Sequence, residues 1–196
     1  MFKEVNQNIK ISDNEESISN YWNNDNTFKK SLEKNKNNKA FRFYDGPPFP
    51  TGSPHYGNLL AGVIKDIVPR YWTMRGYFVE RRFGWDVHGL PIEMEVQKML
   101  DLDDPSDIEK YGIGKFNEAC RKQVQTNTEN WERITRKIGR WVDFENDYKT
   151  MDTSFMESVW WVFKKLWESD LIYQDYKVLP YSWAAATPLS NFEANM

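Results

Sequence analysis

The 196-residue chain has only two histidines, His55 and His88, and each stands in a segment suited to holding a ligand. The first segment runs Asp45-Gly-Pro-Pro-Phe-Pro-Thr-Gly-Ser-Pro-His-Tyr-Gly-Asn58. Its Gly-Pro-Pro and Gly-Ser-Pro elements restrict the loop to few conformations and let a ligand approach the backbone. A helix beginning after such a loop points free N–H groups at it, and that end attracts phosphate. His55 and Asn58 are three residues apart, so both can face one phosphate from the first turn. Gly57 leaves out a side chain where a base or ribose can lie close. The plainer alternative is a Pro/Gly loop whose histidine merely starts a helix.

The second segment is Gly84-Trp-Asp-Val-His-Gly-Leu-Pro-Ile-Glu93. Asp86 stands just past an expected strand, where a carboxylate can hold a ligand ammonium through charge-assisted hydrogen bonds. His88 can donate to a ligand or brace the turn. Two histidines at this spacing without a cysteine pair make no zinc signature. Neither a Gly-x-x-x-x-Gly-Lys-Ser/Thr loop nor a Gly-x-Gly-x-x-Gly loop is present.

The elements that must position these residues read as α/β. Phe41–Tyr44 alternates as a strand, and Gly46-Pro47-Pro48 must end it. Leu59, Leu60, Val63, Ile64, Ile67 and Tyr71 predict a helix with one apolar face, kinked at Pro69. Tyr77–Phe83 reads as a second strand. Strand, loop, helix and strand make a βαβ unit with parallel strands and a right-handed crossover. Ligands in such sheets bind at the C-terminal strand ends, where both segments fall. Upstream, a helix is expected over about 13–33. Downstream, helices are expected after Pro91, over 114–140 and from Asp152, with strands at Leu171–Tyr173 and Val178–Trp183.

Composition narrows the classes. Lys and Arg total 26 against 29 Asp and Glu, so a wholly basic, nucleic-acid-coating surface is not expected. Nine Trp, ten Tyr and twelve Phe either fill a core or mark surfaces that meet something else. The lone Cys120 fits a reducing compartment. The N-terminal Met1–Gln7 stretch has no apolar signal core, and no run reaches the roughly 20 apolar residues of a membrane span. A cytoplasmic, non-membrane protein is expected.

Taken jointly, the two segments with Lys65-Asp-Ile-Val-Pro-Arg-Tyr71 between them closely resemble the isoleucyl-tRNA synthetases of class I, with wording nearer the eukaryote-like branch. His55-Tyr-Gly-Asn58 stands at the class signature His-x-Gly-His. The resemblance continues through Trp141-Val-Asp-Phe144, Thr150-Met-Asp152, Pro180-Tyr-Ser-Trp183 and Thr187-Pro-Leu-Ser-Asn-Phe-Glu193. It implies the first half of a Rossmann-like nucleotide-binding domain with parallel strands, plus an N-terminal helix and a helical connective region. The implied division is an N-terminal helical extension over 1–40, the first βαβ part over 41–100, a helical connective part over 101–183, and over 184–196 the start of a junction to an editing domain. His55 and Asn58 would act on the ATP phosphates, with Gly57 making room for adenosine. Gly46 and Pro47 would wall the amino-acid pocket, with Asp86 and His88 on the amino acid and Asp86 taking its ammonium. ATP with Mg2+, isoleucine and tRNA(Ile) would be the substrates, and no structural metal is implied.

Several departures matter. Asn58 replaces the signature's last histidine, which keeps a donor but no charge. The family's Lys-Met-Ser-Lys-Ser loop, editing domain, second sheet half and anticodon-binding region are not in this sequence. Weak or no activity is therefore expected of these residues alone, with the remainder of the synthetase as partner. Ala184-Ala185-Ala186 stands where the family is more varied, which suggests an engineered or divergent patch. Valyl, leucyl and methionyl synthetases share the first segment but match the second poorly. A non-catalytic synthetase-like binding module and an unrelated nucleotidyltransferase are the competing classes.

Overall fold

The computed structural model describes residues 8, 10–191 and 194. Met1–Gln7, and Phe192 and Glu193 of the last sequence motif, lie outside the described residues. The chain forms two compact units, one from residues 1–88 with 122–150, the other from 89–121 with 151–196.

In the first unit, α1 (Ile11–Asp25) and α2 (Thr27–Lys34) replace the single helix expected over 13–33. Asn26 divides them with a left-handed φ of 53°, a conformation asparagine tolerates better than most residues. Helix α3 (Tyr56–Met74) begins where the Pro/Gly loop ends, with Pro69 inside it. Strand β1 (Arg82–Trp85) pairs in parallel with β2 (Asp143–Lys149).

The expected strand at Phe41–Tyr44 does not form. A single parallel bridge joins Ala40 to Phe78, with Phe41 N donating to Phe78 O at 2.9 Å and Phe78 N to Lys39 O at 3.1 Å. Beyond it the chain leaves the sheet, because Asp45 is drawn to Lys65 and Arg140 and the two prolines that follow have no N–H for a ladder. The second strand lies a few residues later than the expected Tyr77–Phe83. Its parallel ladder partner is β2, whose charged sequence hides the alternation that would reveal it.

Alternate residues from Val79 to Val87 point inward: Val79, Arg81, Phe83, Trp85 and Val87 are all buried. Phe83 stacks on Phe144 of β2 with centroids 4.6 Å apart. Val124 and Trp131 of α6 (Ile113–Lys137) complete this core. Arg81 stands among these apolar side chains. It donates to Pro69 O at 3.0 Å and to Thr73 Oγ1, and its guanidinium lies 5.4 Å from the Phe28 ring. Burial pushes its pKa down to about 10.

The second unit holds α4 (Leu90–Met99), α5 (Pro105–Tyr111), the start of α6, α7 (Thr153–Glu168) and the antiparallel pair β3 (Tyr181–Ser182) and β4 (Thr187–Pro188). Ile92, Val96 and Phe116 are buried in it. Helix α5 was not apparent from periodicity, being one short turn-rich segment capped by Asp104. No strand forms at Leu171–Tyr173, and of Val178–Trp183 only Tyr181 and Ser182 are in a strand. Among the described residues, no strand pairs with Leu171–Tyr173, and β3 pairs only with the two residues of β4.

Two apolar stripes lie on the surface. On α3, Leu60, Val63, Ile64, Ile67 and Tyr71 are all exposed, Leu60 by 63%. On α7, Val159, Val162, Phe163, Leu166 and Trp167 are exposed as well. Among the described residues, no helix is long and apolar enough to cross a membrane.

Candidate functional site

The loop over 41–55 has no regular secondary structure, yet it is pinned along its length. Its anchor is Asp45, whose side chain is fully buried. Lys65 Nζ lies 2.8 Å from Asp45 Oδ1, and Arg140 pairs with Asp45 Oδ2. Lys65 Nζ also donates to Gly46 O at 2.6 Å, and Tyr148 OH donates to Asp45 O at 3.1 Å. Farther along, Asp86 N donates to Pro48 O at 2.9 Å. Trp131 Nε1 donates to Gly52 O at 2.9 Å, and Asn130 Nδ2 to Ser53 Oγ at 3.1 Å. A loop held at this many points has already met most of the entropic cost of ordering before a ligand arrives.

Two glycines owe their identity to close approach. A Cβ at Gly84 would lie 2.2 Å from Cζ of Tyr148, so the tyrosine reaches Asp45 only because Gly84 has no side chain. A Cβ at Gly57 would meet Cε1 of His55 at 2.9 Å.

His55 is the N-cap of α3. Its Nδ1 accepts from Gly57 N at 3.1 Å, and its own N donates to Asn58 Oδ1 at 3.0 Å. The plain reading of His55 as a helix cap is therefore true, but it does not exhaust the residue. With Nδ1 occupied as an acceptor, a neutral imidazole carries its proton on Nε2, and Asn58 keeps its Nδ2 hydrogens. The start of α3 thus presents an imidazole N–H, an amide NH2 and first-turn backbone N–H groups, a donor set that suits phosphate oxygens.

Asp86 follows β1. Its backbone N–H holds Pro48, and its Oδ1 lies 3.3 Å from Thr150 Oγ1. His88 Nδ1 lies 2.8 Å from the same hydroxyl. The two sequence segments are thus joined through Pro48 and Asp86, beside Pro47 and Gly46. Sequence reasoning missed Thr150, Arg140 and Tyr148. Each lies at least 60 residues from its partner in the chain, so no local spacing points to the pairings. A groove of about 550 Å3 lined by Trp22, Trp141, Arg133 and Arg136 holds none of the expected site residues. No cluster of three or more His, Cys, Asp or Glu able to hold a metal occurs among the described residues.

Comparison with known proteins gives the chain its relatives. Over 196 residues the chain is 51% identical to the isoleucine--tRNA ligase of Treponema denticola, and over 182 residues 56% identical to that of Mycobacterium leprae. These matches cover 100% and 93% of this chain but only 18% and 17% of those proteins, so the chain spans under a fifth of their length. Among solved structures, LeuRS of Agrobacterium radiobacter K84 (agnB2), in its ternary complex with tRNA and LeuAMS, superposes with a TM-score of 0.59 over 90% of this chain and 20% of its own. At 21% identity that likeness speaks for the fold alone. A family profile described as tRNA synthetases class I (I, L, M and V) matches residues 17–196, and with the α/β frame above it follows that the chain belongs to this class I tRNA synthetase family.

Proposed function

We propose that this chain forms the first part of the amino-acid activation site of an isoleucine–tRNA ligase. The observation that carries the reading is the hydrogen bond from Asp86 N to Pro48 O. It sets an acid beside the loop whose far end becomes the donor-rich start of α3. Isoleucine is the amino acid of this reading because the relatives at 51% and 56% identity are isoleucine ligases.

In this reading an oxygen of the isoleucine carboxylate attacks the α-phosphorus of ATP. The bond to the β-phosphate oxygen breaks, pyrophosphate leaves, and isoleucyl adenylate remains. A tRNA(Ile) hydroxyl then attacks the acyl carbon and AMP departs. His55 and Asn58 donate to the phosphate oxygens, and Gly57 lies under the nucleoside. Asp86 accepts from the substrate ammonium, with His88 beside it, and Gly46 and Pro47 wall the amino acid. The gain comes from positioning and from donors aimed where charge develops. Magnesium arrives with the nucleotide.

The remainder of the synthetase supplies the second ATP loop and covers the exposed stripes of α3 and α7, in the cytoplasm. Residues 1–196 alone are expected to show weak or no ATP–pyrophosphate exchange, and robust exchange would refute that division of labour. In the full-length protein, exchange depends on isoleucine, and Asp86→Ala raises the KM for isoleucine at least about ten-fold. An Asp86→Ala enzyme with unchanged isoleucine kinetics would remove the amino-acid site from this position.

A further inference from the structure

The Thr150 hydroxyl has three polar neighbours and only one proton. Thr150 is 7% exposed and follows β2 directly. Its N–H donates to Trp85 O at 3.0 Å, which extends the β1–β2 pairing by one residue and sets the side chain beneath the turn over 86–88. Around Oγ1 stand Val87 N at 3.1 Å, His88 Nδ1 at 2.8 Å and Asp86 Oδ1 at 3.3 Å.

A hydroxyl donates once and accepts twice. The Val87 amide can only donate, so it takes one lone pair. The Asp86 carboxylate can only accept, so it takes the proton. With the proton directed to Asp86, His88 Nδ1–H donates to the remaining lone pair. A neutral His88 so held has a bare Nε2, and that nitrogen is an acceptor.

His55 is wired the other way. Its Nδ1 accepts from Gly57 N, which leaves Nε2–H as a donor. The chain's two histidines thus present opposite faces: a donor at the start of α3, suited to an anion, and an acceptor beside Asp86, suited to a cation with N–H groups. We propose that Thr150 is a positioning residue that orients Asp86 and fixes His88 as an Nε2 acceptor, so that His88 joins Asp86 in holding a primary ammonium. Within the ligase reading, on which this rests, that ammonium is the amino group of isoleucine. Thr150 does not touch it.

The test uses full-length enzyme, isoleucine-dependent ATP–pyrophosphate exchange and active-site titration, so that unfolded protein is not counted. Thr150→Val keeps the shape and removes the hydroxyl. It should raise the KM for isoleucine about ten-fold or more, leave the KM for ATP unchanged and change kcat little. Thr150→Ser restores the hydroxyl and should return the isoleucine KM to within about two-fold of the parent. His88→Ala removes an exposed ring with little risk to folding, and it too should raise the KM for isoleucine alone. Binding of isoleucinol, which keeps the ammonium and lacks the carboxylate, should weaken in step in the Thr150→Val and His88→Ala enzymes. An unchanged isoleucine KM in Thr150→Val or His88→Ala, a rise shared equally with ATP, or failure of serine to rescue overturns the proposal. A parent enzyme without isoleucine-dependent exchange overturns the ligase reading itself, whatever the variants do.

Discussion

The two faces of α3 reverse the usual order of a surface helix. The face toward its own unit carries Lys65, Asp66, Arg70 and Thr73, all engaged in polar contacts. Lys65 pairs with Asp45, Arg70 pairs with Asp66 and donates to Gly139 O at 2.8 Å, and Asp66 Oδ1 accepts from Trp141 N at 2.9 Å. The Arg70 guanidinium also lies 3.9 Å from the centroid of the Trp141 ring. The opposite face presents Leu60, Ile64 and Ile67 to solvent. Apolar contact is tolerant of small shifts, whereas a buried ion pair is costly unless its geometry is met. The inner face therefore fixes a unique position for the Pro/Gly loop, while the outer face leaves apolar area in solvent.

The sharpest way to break this contrast is Asp45→Ala. It strands the nearly buried Arg140 and the partly buried Lys65 without their counter-ion. The cost should be about 3–5 kcal/mol in urea denaturation of the 196-residue chain. A cost below 1 kcal/mol would show that the inner face does not depend on this anion. Next comes Gly84→Ala, which forces a Cβ into the Tyr148 ring and should cost about 1–3 kcal/mol by overpacking. Its effect should shrink in the Tyr148→Ala background, because the clash is then gone.

A weaker effect is expected with pH. Burial, and then the nearby Asp45, raise the pKa of Tyr148 above its ordinary value. The folded state therefore holds the phenol proton more tightly than the unfolded chain does. Below about pH 10 both states keep the proton and this contribution is whole; it is lost as pH rises through the folded pKa. Subtracting the stability profile of Tyr148→Phe from that of the parent should leave a decline beginning near pH 10. A flat difference would deny the burial effect. The smallest change is expected on the outer face. Ile64→Gln, at a residue 55% exposed, should alter the stability of this chain by no more than about 0.5 kcal/mol. A larger loss would mean that the stripe is packed after all.

Much of the local geometry of the candidate site could be read in the sequence. The Pro/Gly loop announces itself by residue type, and His55, Gly57 and Asn58 do begin a helix. Asp86 does follow a strand and reaches the loop. The strand partner was harder, because Asp143–Lys149 is charged on most positions and carries only Phe144 and Tyr148 as strand-like markers. The apolar faces show a related limit. Periodicity reports that a helix has an apolar side, not which way that side points, and at α3 and α7 it points outward.

What the sequence determined by itself are the local matters: where α3 starts, that the loop before it is stiff, and that an acid and a histidine stand two apart after a strand. These follow from backbone restrictions and capping, which act over a few residues. Only the tertiary structure decided which partners hold them. Arg140 and Tyr148 lie about a hundred residues from Asp45, and Thr150 more than sixty from Asp86 and His88. Their meeting depends on the β1–β2 register, and register is a property of the folded pair rather than of either strand.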